Sequence, residues 1–137
     1  MLNKSGVNKA TLTSPKQILA NVDLQSSVGC IVPQSLGVDD GTGTKIAKAG
    51  TPINIDLTNL QTVAKKPAST GGGSGTSAIP MNAVLLHDVD VTSGNANGTA
   101  LIFGFVNLNR VDSDVVTAIT AALAFGTPSA LITFMKA

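Results

Sequence analysis

The chain has 137 residues, of which 43% are hydrophobic and 12% are charged, and its formal net charge at pH 7 is +1. This length predicts one domain with a single modest core, and the scarcity of charge favours association between copies over a monomeric state. The chain lacks an apolar run of the roughly 20 residues that span a membrane, a secretory signal, and the Trp and Tyr that stack on nucleic acid, so we expect a protein made in the cytoplasm with no membrane or nucleic-acid partner.

The first predicted segment is an extended basic arm over residues 1–26. It carries Lys4, Lys9 and Lys16 against one acid, Asp23, and shows neither a helical stripe nor strand alternation. A disordered tail is the alternative interpretation. In the functional interpretation the arm lies on a partner and the three lysines are its contacts, while residues 27–137 form a β-rich domain.

Short strands are predicted next, at residues 29–33, 45–48 and 52–57, with a Gly/Asp turn at residues 39–43. The first of them contains Cys30, which is the only cysteine and is flanked by apolar residues. A buried, inert thiol is therefore favoured over a nucleophile, and an intrachain disulfide is excluded.

A Pro/Gly/Ser loop is predicted over residues 65–76, where the chain is polar and exposed. Its glycine run resembles a phosphate-binding loop only superficially. The Lys and Ser/Thr that such a loop needs at the start of a helix are replaced here by Ala78, Ile79 and Pro80.

Residues 83–91 and 100–108 are two apolar runs around a Gly/Asn/Ser turn, which is typical of a β-hairpin with a longer loop. Alternation along the first run places His87 on its more apolar face, as a structural residue rather than a base. Asp88 and Asp90 share the opposite face. With no third oxygen-rich segment nearby in sequence, they are interpreted as solvated strand-edge charges rather than as a cation site.

The second run is apolar on both faces, which predicts a central strand that is covered twice. Phe103 and Phe105 are its large structural residues, and Gly104 lies between them. A glycine in the middle of a strand indicates a bulge or a close backbone approach, which would bend the strand around a small barrel-like core.

One amphipathic helix is predicted from Asp112 to about Gly126, with Val115, Val116, Ile119 and Leu123 on its apolar face. A closing strand follows at residues 130–135. The predicted fold class is thus α+β and β-rich: a small barrel-like or tulip-like domain with one helix and an extended N-terminal arm.

Two segments carry a resemblance to a known family. Residues 83–110 resemble the "LL.DVDV...NGT.LI.GFVNL" segment of head decoration proteins of tailed bacteriophages, and residues 37–53 are similar to the upstream "K.GTP(I/V)" element of phage decoration and head-fibre proteins. The resemblance covers about residues 37–137. It implies a lambda-like decoration fold and a homotrimer that binds the major capsid protein on the exterior of the virion.

No catalytic signature, metal-ligand cluster or dinucleotide fingerprint is found in the sequence, so we expect neither an enzyme nor a cofactor. The predicted function is stabilisation of the expanded phage head. A head fibre or fibre base that meets the host surface is the alternative, and a minor structural protein of the neck or tail is a third possibility.

Overall fold

The structure is a computed structural model that describes residues 17–69, 78–125, 128 and 131–136. Its strands and helix are β1 Ser26–Val32, β2 Val38–Asp39, β3 Lys45–Ala47, β4 Pro52–Ile53, β5 Ala83–Leu85, β6 Val89–Asp90, β7 Ala96–Asn107, α1 Ser113–Ala122 and β8 Leu131–Met135. The prediction of a β-rich α+β fold with one helix is confirmed for these residues.

The larger sheet is organised around β7, which has 12 residues. Its strand order is β1-β7-β5-β4, and β8 pairs with the C-terminal half of β7. β8 runs parallel to β7, so α1 serves as the crossover that a parallel connection requires. A second sheet has the order β2-β3-β6, and within the described residues both sheets are open rather than closed into a barrel.

The predicted hairpin strand over residues 83–91 is divided between these two sheets. β5 pairs antiparallel with β7, with Val84 opposite Leu101, whereas β6 pairs with β3. Residues 86–88 make the crossing between the sheets. The expectation of one continuous strand is therefore wrong, because this segment reaches across the core rather than along one sheet.

The core has two parts, one on each face of the larger sheet. Leu101 and Val106 of β7 pack with α1 on one face, where Val115, Ile119 and Ala122 are the buried helix residues. On the other face Ala100 packs with residues of the smaller sheet and of β1. The domain is thus layered as helix, larger sheet and smaller sheet, with β7 contributing to both parts of the core.

The helix is shorter than predicted at its C-terminal end. Val115 and Ile119 are buried as expected, but Leu123 follows the last helical residue and is 48% exposed. Ala122 takes the buried position at the end of α1. The buried face of α1 therefore ends one residue earlier than predicted, because the helix ends before another turn is completed.

The inner part of the predicted arm belongs to the fold. Ile18 and Leu19 are buried, and Leu19 lies opposite Val106 in an antiparallel bridge. The backbone N–H of Asn107 donates to the Ile18 carbonyl at 2.8 Å, and β1 begins at Ser26. The expectation that residues 1–26 lie outside the core is wrong for Ile18 and Leu19, while residues 20–26 are exposed. Lys4, Lys9 and Lys16 lie outside the described residues.

Candidate functional site

The two segments that carry the family resemblance are joined directly in the structure. The Gly50 N–H donates to the Leu85 carbonyl at 2.7 Å, and the Leu85 N–H donates to the Thr51 carbonyl at 3.0 Å. Pro52 lies opposite Val84 where β4 meets β5. We call this contact between residues 49–52 and 84–88 the motif junction.

The Asp88 side chain forms a hydrogen bond at the motif junction. Its Oδ1 accepts a hydrogen bond from the Ala49 N–H at 2.7 Å. Hydrogen bonds to a charged acceptor are stronger than those between neutral groups, and loss of this carboxylate would leave the partly buried Ala49 N–H without that acceptor. The first aspartate of the Asp-Val-Asp-Val sequence is therefore a structural link between the two segments.

Gly50 meets a specific steric demand at the motif junction. Its φ is +91°, a conformation that residues with a side chain rarely adopt, and an added Cβ would lie 3.1 Å from Val111 Cγ1. The Thr51 hydroxyl donates to the Lys48 carbonyl at 2.6 Å and closes the turn. The Gly-Thr-Pro sequence thus fits a left-handed turn pressed against the start of α1.

Asp90 and His87 do not lie together in one site. The Asp90 carboxylate accepts from the Thr92 N–H at 2.9 Å, and its hydrogen bonds with Thr92 lower the pKa of Asp90. His87 is exposed, so its predicted position on the more apolar face of a continuous strand is wrong, because the strand is interrupted at residues 86–88. Among the described residues no three His, Cys, Asp or Glu side chains are grouped to hold a metal ion.

The same Asp-x-Thr arrangement occurs in two further turns. Asp40 accepts from the hydroxyl and N–H of Thr42, and Asp56 accepts from those of Thr58, at distances of 2.5 to 2.9 Å. These hydrogen bonds lower the pKa of both carboxyls. These aspartates shape turns through their hydrogen bonds with the threonine two residues further on.

The stretch around Gly104 contains the irregularity of β7. Ser26 lies opposite Phe103 while Ser27 lies opposite Leu101, so Ile102 is an extra residue in a β-bulge. Gly104 follows with φ +155°. The buried side of the strand changes across this bulge, since Leu101 and Val106 are five residues apart yet pack into the same part of the core.

Phe103 is 42% exposed and Phe105 is partly exposed. The prediction that this stretch of β7 is covered on both faces is therefore wrong. In the parallel register Phe103 lies beside Leu131, which is 70% exposed, and Phe105 lies beside Thr133. We call these four residues the outer β7–β8 face. It carries no charge, and sequence reasoning missed it because both strands look like core strands.

The other clusters have structural explanations. Lys48 Nζ lies 3.0 Å from Asp114 Oδ2 and 3.4 Å from Asp112 Oδ2, and these carboxylates raise the pKa of Lys48. Cys30 is buried, and desolvation raises the pKa of its thiol, which disfavours the reactive thiolate. A groove of about 330 Å³ beside α1 is lined mainly by apolar atoms, including those of Pro52 and Ala118.

No protein-family model and no curated protein sequence matches this chain. Among the described residues no helix is long and apolar enough to cross a membrane. The structure itself provides two candidate features: the motif junction, in which the two resembling segments contact each other, and the outer β7–β8 face.

Proposed function

We propose that this chain is a head decoration protein of a tailed bacteriophage, which binds the exterior of the expanded capsid and stabilises the lattice of the major capsid protein. The observation that supports this proposal is the motif junction. The two resembling segments are separated by 29 residues of sequence, 54–82, yet they pair in both sheets: Pro52 lies opposite Val84 and Ile46 lies opposite Asp90. A resemblance whose separate parts form one structural unit carries more weight than two unconnected matches.

In this proposal the protein acts by binding alone, without a catalytic step or a cofactor. It forms a homotrimer, as the family resemblance implies, and each trimer contacts several capsid subunits at once. After the first contact is made, the remaining contacts become intramolecular, so weak individual contacts add up to stable attachment. The lattice is then held against the outward pressure of packaged DNA.

The basic N-terminal segment is the proposed capsid-binding arm. It comprises residues 1–16 with Lys4, Lys9 and Lys16, since Ile18 and Leu19, which follow directly, are buried in the folded domain. The arm leaves the domain beside the end of β7, where Ile18 and Leu19 are anchored. An extended arm attached at this point can add a strand to an exposed sheet edge of the capsid, where backbone hydrogen bonds provide affinity. The small barrel-like or tulip-like packing predicted from the sequence belongs to the same proposal.

The test is binding to purified, expanded heads that lack decoration. Co-sedimentation of the full chain is expected to saturate, and electron cryo-microscopy of the decorated heads is expected to show its density at all local three-fold positions. Density at a single vertex or on the tail would favour the head-fibre or neck/tail alternatives. Absence of binding would refute the capsid proposal.

The role of the arm is tested by a variant without residues 1–16 and by a variant in which Lys4, Lys9 and Lys16 are all replaced by Gln. Both keep Ile18 and Leu19, so both are expected to unfold like the full chain. Binding to heads is expected to weaken at least about tenfold, equivalent to roughly 1.4 kcal/mol. Unchanged binding of both variants would move attachment to the folded domain.

A further inference from the structure

Among the described residues, the outer edge of β8 is an unpaired strand edge. β8 pairs with β7 on one side, and no strand among the described residues pairs with its other side. Its sequence, Leu-Ile-Thr-Phe-Met, contains no charge and no proline, and its pairing with β7 has no bulge. Edge strands are commonly protected from other chains by such features. An apolar edge that lacks them is suited to pairing with another strand.

We propose that this edge pairs with β8 of a second copy of the chain, antiparallel, around a twofold axis at Thr133. In that register Leu131 lies opposite the second copy's residue 135, and Thr133 lies opposite its own counterpart. Leu131 and Thr133 are exposed, whereas Ile132 and Phe134 pack against the core. Pairing about Thr133 keeps outward residues beside outward residues and inward residues beside inward ones, as a continuous sheet requires.

Charge supports a second copy as the partner. The outer β7–β8 face is uncharged, so two such faces lie side by side without repulsion, and the formal net charge of +1 adds little repulsion between copies. The nearest cation after the strand is Lys136. In the antiparallel pair the two Lys136 residues lie at opposite ends, about 20 Å apart at the rise of a strand, which exceeds the screening length of about 8 Å at physiological salt.

The size of the contact sets its strength. Pairing of two five-residue strands, with partial burial of Leu131 and Thr133, covers roughly 400 Å² per copy, about half of what one partner buries in a standard stable interface. The pair is therefore weak and concentration-dependent in dilute solution. It becomes effective where copies are already held close together, because the local concentration is then high.

This inference does not rest on the capsid proposal, since it concerns two copies of the chain alone. A twofold contact at β8 is also compatible with a threefold contact elsewhere on the domain. If both form, β8 links one trimer to the next.

Disulfide crosslinking tests the strand register. Antiparallel partners directly opposite each other have Cα atoms about 4.5 to 5.5 Å apart, within the range that a disulfide spans. Thr133→Cys is therefore expected to form a dimer under a glutathione redox buffer. Leu131→Cys is the matched control: it is equally on the exposed side of β8, but its two copies lie about 14 Å apart in the proposed register.

The expected result is crosslinking of Thr133→Cys at least about tenfold faster than of Leu131→Cys, and rapid crosslinking when Leu131→Cys is mixed with Met135→Cys. Cys30 is buried and present in every variant, so its contribution cancels. Equal rates for Thr133→Cys and Leu131→Cys would overturn the proposed pairing.

Sedimentation velocity over a range of concentrations provides a second test. Thr133→Lys places two ammonium groups opposite each other and is expected to abolish the β8 contact, whereas Thr120→Lys adds the same charge on the exposed side of α1 and leaves the contact intact. A mixture of Thr133→Lys with Thr133→Asp is expected to restore it. If Thr133→Lys and Thr120→Lys show the same distribution of species at every concentration, the inference is refuted. A wild-type chain that shows no association at any concentration also refutes it.

Discussion

Substitution of Gly50 by alanine tests the steric account of the motif junction. Two costs are expected. A residue with a side chain at φ +91° is strained by about 1–2 kcal/mol. The new Cβ would also lie 3.1 Å from Val111 Cγ1 and 3.3 Å from Val115 Cγ1, and such crowding in a packed site adds about 1–3 kcal/mol. Gly50→Ala is therefore expected to lower the free energy of unfolding by about 2–5 kcal/mol and Tm by roughly 10 °C or more.

Gly43→Ala is the matched control. Gly43 has φ +89°, nearly the same as Gly50, but an added Cβ has no atom within 4 Å. It is expected to show the strain alone, about 1–2 kcal/mol. Because the chain has no Trp and no Tyr, urea unfolding is followed by circular dichroism rather than by intrinsic fluorescence.

A double variant separates the two costs further. Val111→Ala in the Gly50→Ala background removes the nearest methyl groups, so the combined loss of stability is expected to be smaller than the sum of the two single losses. If Gly50→Ala destabilises the protein no more than Gly43→Ala does, the close approach to Val111 and Val115 has no energetic weight and the reasoning fails.

Three further predictions concern Gly104, the Asp-x-Thr turns and the N-terminal segment. Gly104→Val is expected to lower the free energy of unfolding by about 1–3 kcal/mol in urea titrations, mainly from strain at φ +155°, because a Cβ itself would meet atoms no closer than 3.4 Å; an unchanged midpoint would contradict this. The pKa values of Asp40, Asp56 and Asp90 are lower in the folded chain than in the unfolded chain, so the chain takes up protons when it unfolds at low pH. The free energy of unfolding is therefore expected to fall as pH drops below about 5. In urea titrations at several pH values, the triple Asp→Asn variant should show a flatter dependence of stability on pH. Removing residues 1–16 should leave Tm nearly unchanged, whereas removing residues 1–25 also deletes the buried Ile18 and Leu19 and should lower Tm by at least about 10 °C in thermal circular dichroism; equal melting of the two truncated chains would contradict the anchoring at β7.

Sequence reasoning succeeded where the pattern was local. The helix was found from the acids at its start and the spacing of Val115 and Ile119. Residues 100–107 of β7 were found from their apolar run, whereas its first four residues, 96–99, were assigned to the preceding turn. It failed where distant parts of the chain decide the structure. The apolar run at residues 83–91 is shared between two sheets, and no local signal distinguishes that division from one long strand.

The exposure of Phe103 and the burial of Ile18 and Leu19 also depend on distant parts of the chain. Phe103 was predicted to be covered because aromatic residues in an apolar run are usually buried, but its exposure depends on the bulge at Ile102 and on which face of β8 lies beside it. Ile18 and Leu19 belong to a segment that also contains Ala20, Val22 and Leu24, yet these last three are exposed, so no local pattern distinguishes the two buried residues. Their burial depends on pairing with Val106, which lies 87 residues further along the chain than Leu19.

The placement of β7 has a consequence for how the protein folds. β7 contributes to both parts of the core and pairs with β1, β5 and β8, so neither part of the core can be completed while β7 is out of place. Most of these pairings join residues far apart in sequence, which predicts slow folding because long loops must close before contacts form. In native-state hydrogen exchange the central amides of β7 should exchange only through global unfolding, whereas the short strands β2 and β6 open locally.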